Sequence, residues 1–116
     1  MLNLAKEFKH IISSLKILKY VNERTLFTCK VIITFYNKST LSVKEYRFAN
    51  KERKYSFHWM DKNHKMIIRW DNAEHWKNIS TFPHHKHIGK NVFPTTEITL
   101  EQVLIEIEKH INRPKN

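Results

Sequence analysis

The stretch "TLFTCKVIITFY", residues 25–36, decides the fold because its side chains alternate with a period of two. That period predicts a β-strand with one buried face, since successive side chains of a strand point to opposite sides. The residues that share the apolar side are Phe27, Cys29, Val31, Ile33 and Phe35.

The next stretch, "STLSVKEYRF" at 39–48, predicts the partner strand of a hairpin. A three-residue turn at 37–39 pairs Phe35 with Leu41 and keeps apolar residues opposite each other. A two-residue turn would place apolar opposite polar residues, so the pattern favours the longer turn.

This register places Glu45 opposite Val31, on the otherwise apolar face. A carboxylate there costs energy unless it is paired or lies at a wet end of the sheet. Glu45 is therefore either part of a frayed strand end or a functional acid, and the sequence leaves both open.

A second hairpin follows in "KYSFHWM" (54–60) and "KMIIRWD" (65–71). Pairing Asp61 with His64 across the turn brings Trp59 beside Met66 on the apolar face. The opposite face then carries Ser56, His58, Arg69 and Asp71 together.

Both ends of the chain show helical spacing. An apolar stripe predicts a helix over the first twenty residues, and Thr99 with Gln102 has the capping-box spacing that begins another. The first stripe is Leu4, Phe8, Ile11, Leu15 and Leu18; the second is Leu100, Val103, Leu104, Ile107 and Ile111.

These elements predict a single α+β domain over residues 1–116. We expect an antiparallel sheet of about four strands from two hairpins, with the N-terminal and C-terminal helices packed on it. Residues 72–95 are expected to form an irregular loop, and loops of this length usually have a function.

The composition favours an anionic partner, because the net charge is +10. Nucleic acid, a membrane surface or an acidic protein would each fit, as would a merely Lys-rich surface. Cys29 is the only cysteine, which excludes an internal disulfide. Without a long apolar run or a secretory signal, we expect a cytoplasmic protein that does not enter the membrane.

The segment "FPHHKH" at 82–87 concentrates groups that can bind metals or move protons. On an extended backbone, His85 and His87 point to the same side and could hold a divalent ion. The third ligand would be His75, Asp71, His58 or Glu45. No cofactor is required by the sequence, so this metal is one alternative.

The other alternative is phosphodiester chemistry without a metal. Histidines can accept and donate protons near neutral pH, while Arg69 and Lys86 could stabilise the phosphate. Arg69 could instead form a structural ion pair with Asp71 or Glu45. Trp76, within the loop, is the candidate for stacking on a base.

About two thirds of the chain resembles the TumE-like toxins of prokaryotic toxin–antitoxin pairs. The resemblance lies in "LSVKEY" (41–46), "KYSFHWMD" (54–61), "RWDNAEH" (69–75), "TFPHHKHIG" (81–89) and "TLEQVLIEI" (99–107). The turn "DKNH" lacks the glycine expected in relatives, and Asn63 can adopt the same backbone conformation.

The resemblance implies a growth-inhibiting toxin that a cognate antitoxin neutralises. It marks motif positions without assigning their roles. These positions are Glu45, Tyr55, His58, Arg69, Asp71, Asn72, His75, His84, His85 and His87.

We therefore expect an endoribonuclease in which clustered histidines exchange protons, Arg69 and Lys86 stabilise the phosphate, and Asp71 orients a neighbour. The expected catalytic residues are His58, Arg69, Asp71, His75, His85 and His87. The expected substrate-binding residues are Glu45, Tyr55, Asn72, Trp76, His84 and Lys86. The partners would be RNA and the antitoxin, with a homodimer also compatible. The alternatives are a non-catalytic inhibitor that binds nucleic acid or ribosomes, and a metal-dependent nuclease.

Overall fold

A computed structural model of the protein describes residues 2–112, which form one seven-stranded antiparallel sheet with two helices. The strands pair in chain order, so every neighbour along the chain is also a neighbour in the sheet. The elements are α1 (Leu2–Glu7), β1 (Ile12–Asn22), β2 (Leu26–Phe35), β3 (Thr40–Phe48), β4 (Arg53–Met60), β5 (Met66–Asp71), β6 (His85–Ile88), β7 (Asn91–Pro94) and α2 (Leu100–Ile111).

The prediction of about four strands is wrong, first because residues 12–22 form a strand where a long helix was expected. Pairing of β1 with β2 satisfies backbone groups that would otherwise lie open along the edge of β2. The register shifts between Ile12 and Ser14 and again between Ile17 and Lys19. Each irregularity interrupts the alternation of side chains between the two faces. The apolar residues of β1 are therefore spaced three and four positions apart, as in a helix.

The expected irregular loop at 72–95 is wrong in its second half, which forms the hairpin of β6 and β7. Ile88 pairs with Asn91 across the two residues Gly89 and Lys90, and Gly89 has a φ of 59°. Glycine at the first position of a two-residue turn is typical of a type II′ hairpin. The histidines of "FPHHKH" masked this signal because they are not typical strand residues.

For the first hairpin, the predicted face of each side chain is confirmed, but the predicted residue pairs between the two strands are wrong. Ile33 pairs with Leu41 and Val31 with Val43, two positions from the predicted register. The turn is centred one residue earlier than predicted: Lys38 has the positive φ, and the side chain of Asn37 accepts a hydrogen bond from the Ser39 N–H. A shift of two leaves every side chain on its predicted face.

Beyond its turn, the second hairpin contains the predicted residues on each face, but in a different register. Next to the turn the prediction is wrong, because Ile67 packs against the core where Met66 was expected. Met60 pairs with Met66 next to the turn, but Trp59 pairs with Ile68, so Ile67 is an extra residue on β5. This bulge restores the alignment of the apolar side chains beyond the turn. It places His58 directly opposite Arg69.

The two faces of the sheet differ in what covers them. One face, called the helix face here, carries the core, which includes Val31, Phe57 and Trp70 with Val103 and Ile107 of α2. The other is called the open face, and its central residues are Lys44, Ser56, His58, Arg69, Asp71, His85 and His87. Leu4 of α1 packs against this core, and α2 contributes Leu100, Val103, Leu104 and Ile107 to it. No helix within residues 2–112 is both long and apolar enough to cross a membrane.

Helix α2 and its capping box are confirmed. The Gln102 N–H donates to Thr99 Oγ1 at 3.3 Å, and the Thr99 N–H donates to Gln102 Oε1 at 2.9 Å. These two bonds satisfy donors that the first turn of a helix leaves free.

Replacing the cap should weaken the fold measurably. We expect Thr99→Ala to lower the free energy of unfolding by about 1 kcal/mol, since the side-chain acceptor is lost. Thr96→Ala is the matched control at an exposed position before the helix and should change it by less than about 0.5 kcal/mol. Equal effects in urea titrations would show that the cap does not stabilise α2.

Candidate functional site

The carboxylate of Asp71 is the centre of the candidate site on the open face. Its side chain is only 4% exposed, although β5 ends there. Oδ2 forms an ion pair with Arg69, whose Nε lies 3.1 Å away, and Oδ1 accepts a hydrogen bond from the Ala73 N–H at 3.0 Å. A buried carboxylate held by these two contacts is a fixed negative charge beneath the sheet surface.

Strand β6 brings two imidazoles against this carboxylate. His85 Nε2 lies 2.8 Å from Asp71 Oδ1, and His87 Nε2 lies 3.5 Å from Asp71 Oδ2. The two rings meet edge to face with centroids 4.9 Å apart. The centroid of the Trp76 ring lies 6.5 Å from that of His85 and 6.1 Å from that of His87. One ligand atom from each of Asp71, His85 and His87 lies within 4.8 Å of the others, a spacing that could hold a metal ion.

Arg69 lies between two histidines in one cross-strand row, paired with His58 on β4 and with His87 on β6. Burial lowers the pKa of His58 below its ordinary value, and the charges of Arg69, His87 and Lys44 lower it further. Burial also lowers the pKa of His87, while Asp71 acts in the opposite direction. Arg69 is 44% exposed, so its guanidinium is accessible to an anion.

A row of lysines leads across the open face to this site. Lys19, Lys30 and Lys44 pair in register on β1, β2 and β3, and the row continues through Ser56 to Asp71. Lys30 Nζ lies 5.9 Å from the ring centroid of Tyr46 on the same face. The open face therefore has strong positive charge beside the site.

A cleft of about 860 Å³ borders the site at the end of β5. Its wall includes Arg69 and Asp71 together with His75, which is exposed in the loop after β5. His75 thus lies beside the cluster around Asp71 and faces the same open space.

The structure does not bring Lys86 or Glu45 to this site. Lys86 pairs with Trp70 and so lies on the helix face, where its Nζ is 3.6 Å from Glu106 Oε1 of α2. Glu45 is buried on the helix face opposite Cys29, where it accepts from Arg53 Nε at 3.0 Å and from Arg47 Nε at 3.0 Å. The paired arginines compensate the burial of this acid.

Tyr55, Asn72 and His84 line the cleft from the helix side and have contacts of their own. The Tyr55 hydroxyl lies 2.7 Å from His84 Nδ1, and burial raises the pKa of Tyr55 to about 12. Asn72 Oδ1 accepts from the Tyr55 N–H at 3.0 Å, and Asn72 Nδ2 donates to the Arg53 carbonyl. These contacts hold β4 against the end of β5.

Sequence reasoning did not select the lysine row as part of the site. Lys30 and Lys44 occupy the polar positions of strands that were predicted, so correct pairing would have placed them side by side. Lys19 was hidden because its segment was expected to be helical. Long-range register, more than residue type, carries this information.

Fold and site together define a small, basic α+β protein whose open sheet face presents a buried carboxylate, imidazoles and a guanidinium. The chain belongs to the TumE toxin family, because the family model described as "Toxin TumE" matches residues 1–111. This confirms the resemblance, and it supports a toxin function with an antitoxin as partner. No curated protein and no solved structure matches the chain significantly.

Proposed function

We propose that this toxin binds single-stranded RNA on its open face and cleaves it beside Arg69 and Asp71. The observation that carries the proposal is the lysine row, Lys19, Lys30 and Lys44, which leads in register to the cluster around Asp71. The family membership makes RNA, as a target whose loss stops growth, a reasonable substrate class.

The lysine row favours an anionic ligand because like charges directly opposite each other destabilise a sheet. Neighbouring strands lie about 4.8 Å apart, so the three lysine side chains start close together. An anion on this face would relieve their repulsion. A phosphodiester backbone presents such charges at regular intervals.

The aromatic residues beside the row favour a single strand. Trp76 is 41% exposed beside the two site histidines, and Tyr46 is half-buried on the open face. Aromatic rings next to a basic surface are the usual means of binding unpaired bases, which stack on them.

The chemistry follows from the row that contains Arg69. The Arg69 guanidinium contacts the scissile phosphate, and Asp71 holds that guanidinium through its Nε. His58 and His87, on either side, move the proton off the 2′-hydroxyl and onto the leaving oxygen. His85 is 1% exposed and supports the site without touching RNA. Lys86 faces the helices and has no part in this proposal.

The direct test is to incubate the purified, folded protein with bulk RNA. Cleavage products are expected, and intact RNA would remove the enzymatic proposal. If the RNA binds tightly but stays intact, the result would support the non-catalytic alternative, in which the toxin inhibits growth by binding RNA on the same basic face. A homodimer and a cytoplasmic location stay predictions.

The lysine row provides a quantitative prediction for RNA binding. Replacing Lys19, Lys30 and Lys44 by Gln should reduce the slope of log affinity against log salt by about 2, because each lost phosphate contact on a single strand contributes about 0.7. Affinity would be measured by fluorescence anisotropy with a labelled RNA oligonucleotide.

The matched control removes the same charge elsewhere: Lys6, Lys9 and Lys109, all exposed on or beside the helices. This variant should keep the wild-type slope. The same reduction in both variants would mean that net charge, and not the open face, determines binding.

A further inference from the structure

We propose that Asp71, His85 and His87 bind one divalent first-row transition-metal ion, with Zn²⁺ as the best match. Ion binding itself needs no RNA. Only the use of the ion in cleavage rests on the proposed function, and there it changes one assignment: His87 becomes a ligand, and ion-bound water takes its role in proton transfer.

The spacing of the three side chains is that of ligands around one ion. His85 Nε2 and His87 Nε2 lie 2.8 Å and 3.5 Å from the two oxygens of Asp71, and one atom from each residue lies within 4.8 Å of the others. Two ligands at about 2.1 Å from a tetrahedral ion are about 3.4 Å apart. The two measured distances lie on either side of this value, so side-chain adjustments of about 1 Å would complete the coordination.

His85 supplies an independent indication, because its Nε2 atom is buried without a hydrogen-bond partner. Its Nδ1 lies 2.8 Å from the Pro83 carbonyl, which can only accept, so Nδ1 carries a proton. In the neutral ring, Nε2 then has a lone pair that faces the carboxylate. The close Asp71 oxygen lies off the direction of an Nε2–H bond, and a cation would satisfy both acceptors.

The surrounding contacts orient the ligands as outer-shell groups do in metal sites. The His85 Nδ1–H donates to a backbone carbonyl, which fixes the tautomer and aims Nε2 inward. The Ala73 N–H donates to Asp71 Oδ1, and Arg69 Nε forms an ion pair with Oδ2, so each oxygen keeps a lone pair for an ion.

The ligand set favours a particular class of ion. Two imidazoles and one carboxylate suit zinc and other first-row transition metals, whereas Mg²⁺ and Ca²⁺ prefer oxygen ligands. Three protein ligands leave a position for water, as in catalytic zinc sites. Such an ion lowers the pKa of its water to about 7, which makes it a proton acceptor at neutral pH.

Calorimetric titration of the metal-free protein with Zn²⁺ tests the site without RNA. One ion should bind per chain, and Cu²⁺ at the same site should quench Trp76, whose ring is 6.1 Å from that of His87. His87→Gln, at a partly exposed position, should weaken binding at least tenfold, since even outer-shell changes cost about 10–100-fold.

The matched control is His84→Gln, which removes a neighbouring imidazole that faces the helix side and should keep the wild-type affinity. Failure of the folded protein to bind Zn²⁺, or equal affinities for both variants, would overturn the inference. RNA cleavage that persists without any bound ion would overturn the use of the ion in cleavage, while leaving the proposed function intact. Ion binding with RNA left intact would support the site and remove the ribonuclease.

Discussion

Phe57→Ala should lower the free energy of unfolding by about 3–5 kcal/mol. Phe57 lies on the central strand β4, is fully buried, and packs in the core beneath the site. Truncation loses apolar burial and leaves a cavity that the flanking strands cannot fill. Since domains are stable by only about 5–15 kcal/mol, the loss should be evident in urea titrations.

Tyr36→Ala is the control, because Tyr36 is 67% exposed at the first hairpin turn. It should change the free energy of unfolding by less than about 0.5 kcal/mol. A loss below about 1 kcal/mol for Phe57→Ala would be inconsistent with a core centred on this residue. Equal denaturant slopes in both variants would show that the unfolding reaction is unchanged.

Arg69→Ala should lower the rate of RNA cleavage by about 10²–10³-fold, as the loss of one preorganised donor to a developing charge does in other enzymes. The position is 44% exposed, so the variant should fold. Arg69→Lys keeps the charge and loses the fixed fork that Asp71 holds, so we expect it to restore only part of the rate. Initial rates on labelled RNA would be compared with those of the wild type.

Two further results make the Arg69 prediction specific. Arg24→Ala, in the exposed turn between the edge strand β1 and β2, should leave the rate unchanged. Because the Arg69 charge contributes to the lowered pKa of His58, its removal should raise that pKa toward the ordinary value of about 6.5. Nuclear magnetic resonance titration of the imidazole would show this. An unchanged cleavage rate would exclude Arg69 from the chemistry.

The alternation in residues 25–71 was sufficient to predict two hairpins and the side of the sheet on which their residues lie, apart from Met66 and Ile67 beside the bulge. It was not sufficient for the partners, because a shift of two residues preserves both faces. Turn chemistry was also predicted only in part, since Asn63 was named for the glycine-like conformation of its turn and the positive φ falls on His64. In the turns at 36–38 and 49–51, the positive φ falls on Lys38 and Lys51, each one residue after an asparagine. The side chains of Asn37 and Asn50 each accept a hydrogen bond from the N–H two positions later.

The sequence by itself determined which face of the sheet most side chains of the central strands occupy, the capped C-terminal helix and the concentration of imidazoles at 82–87. The first two features depend on periodicity and local hydrogen bonds, which act over a few residues. Only the tertiary structure decided that β1 completes the lysine row, that Lys86 and Glu45 face the helices, and that His85 is buried against Asp71. Strand pairing and bulges set these placements, and they depend on contacts between residues far apart in the chain.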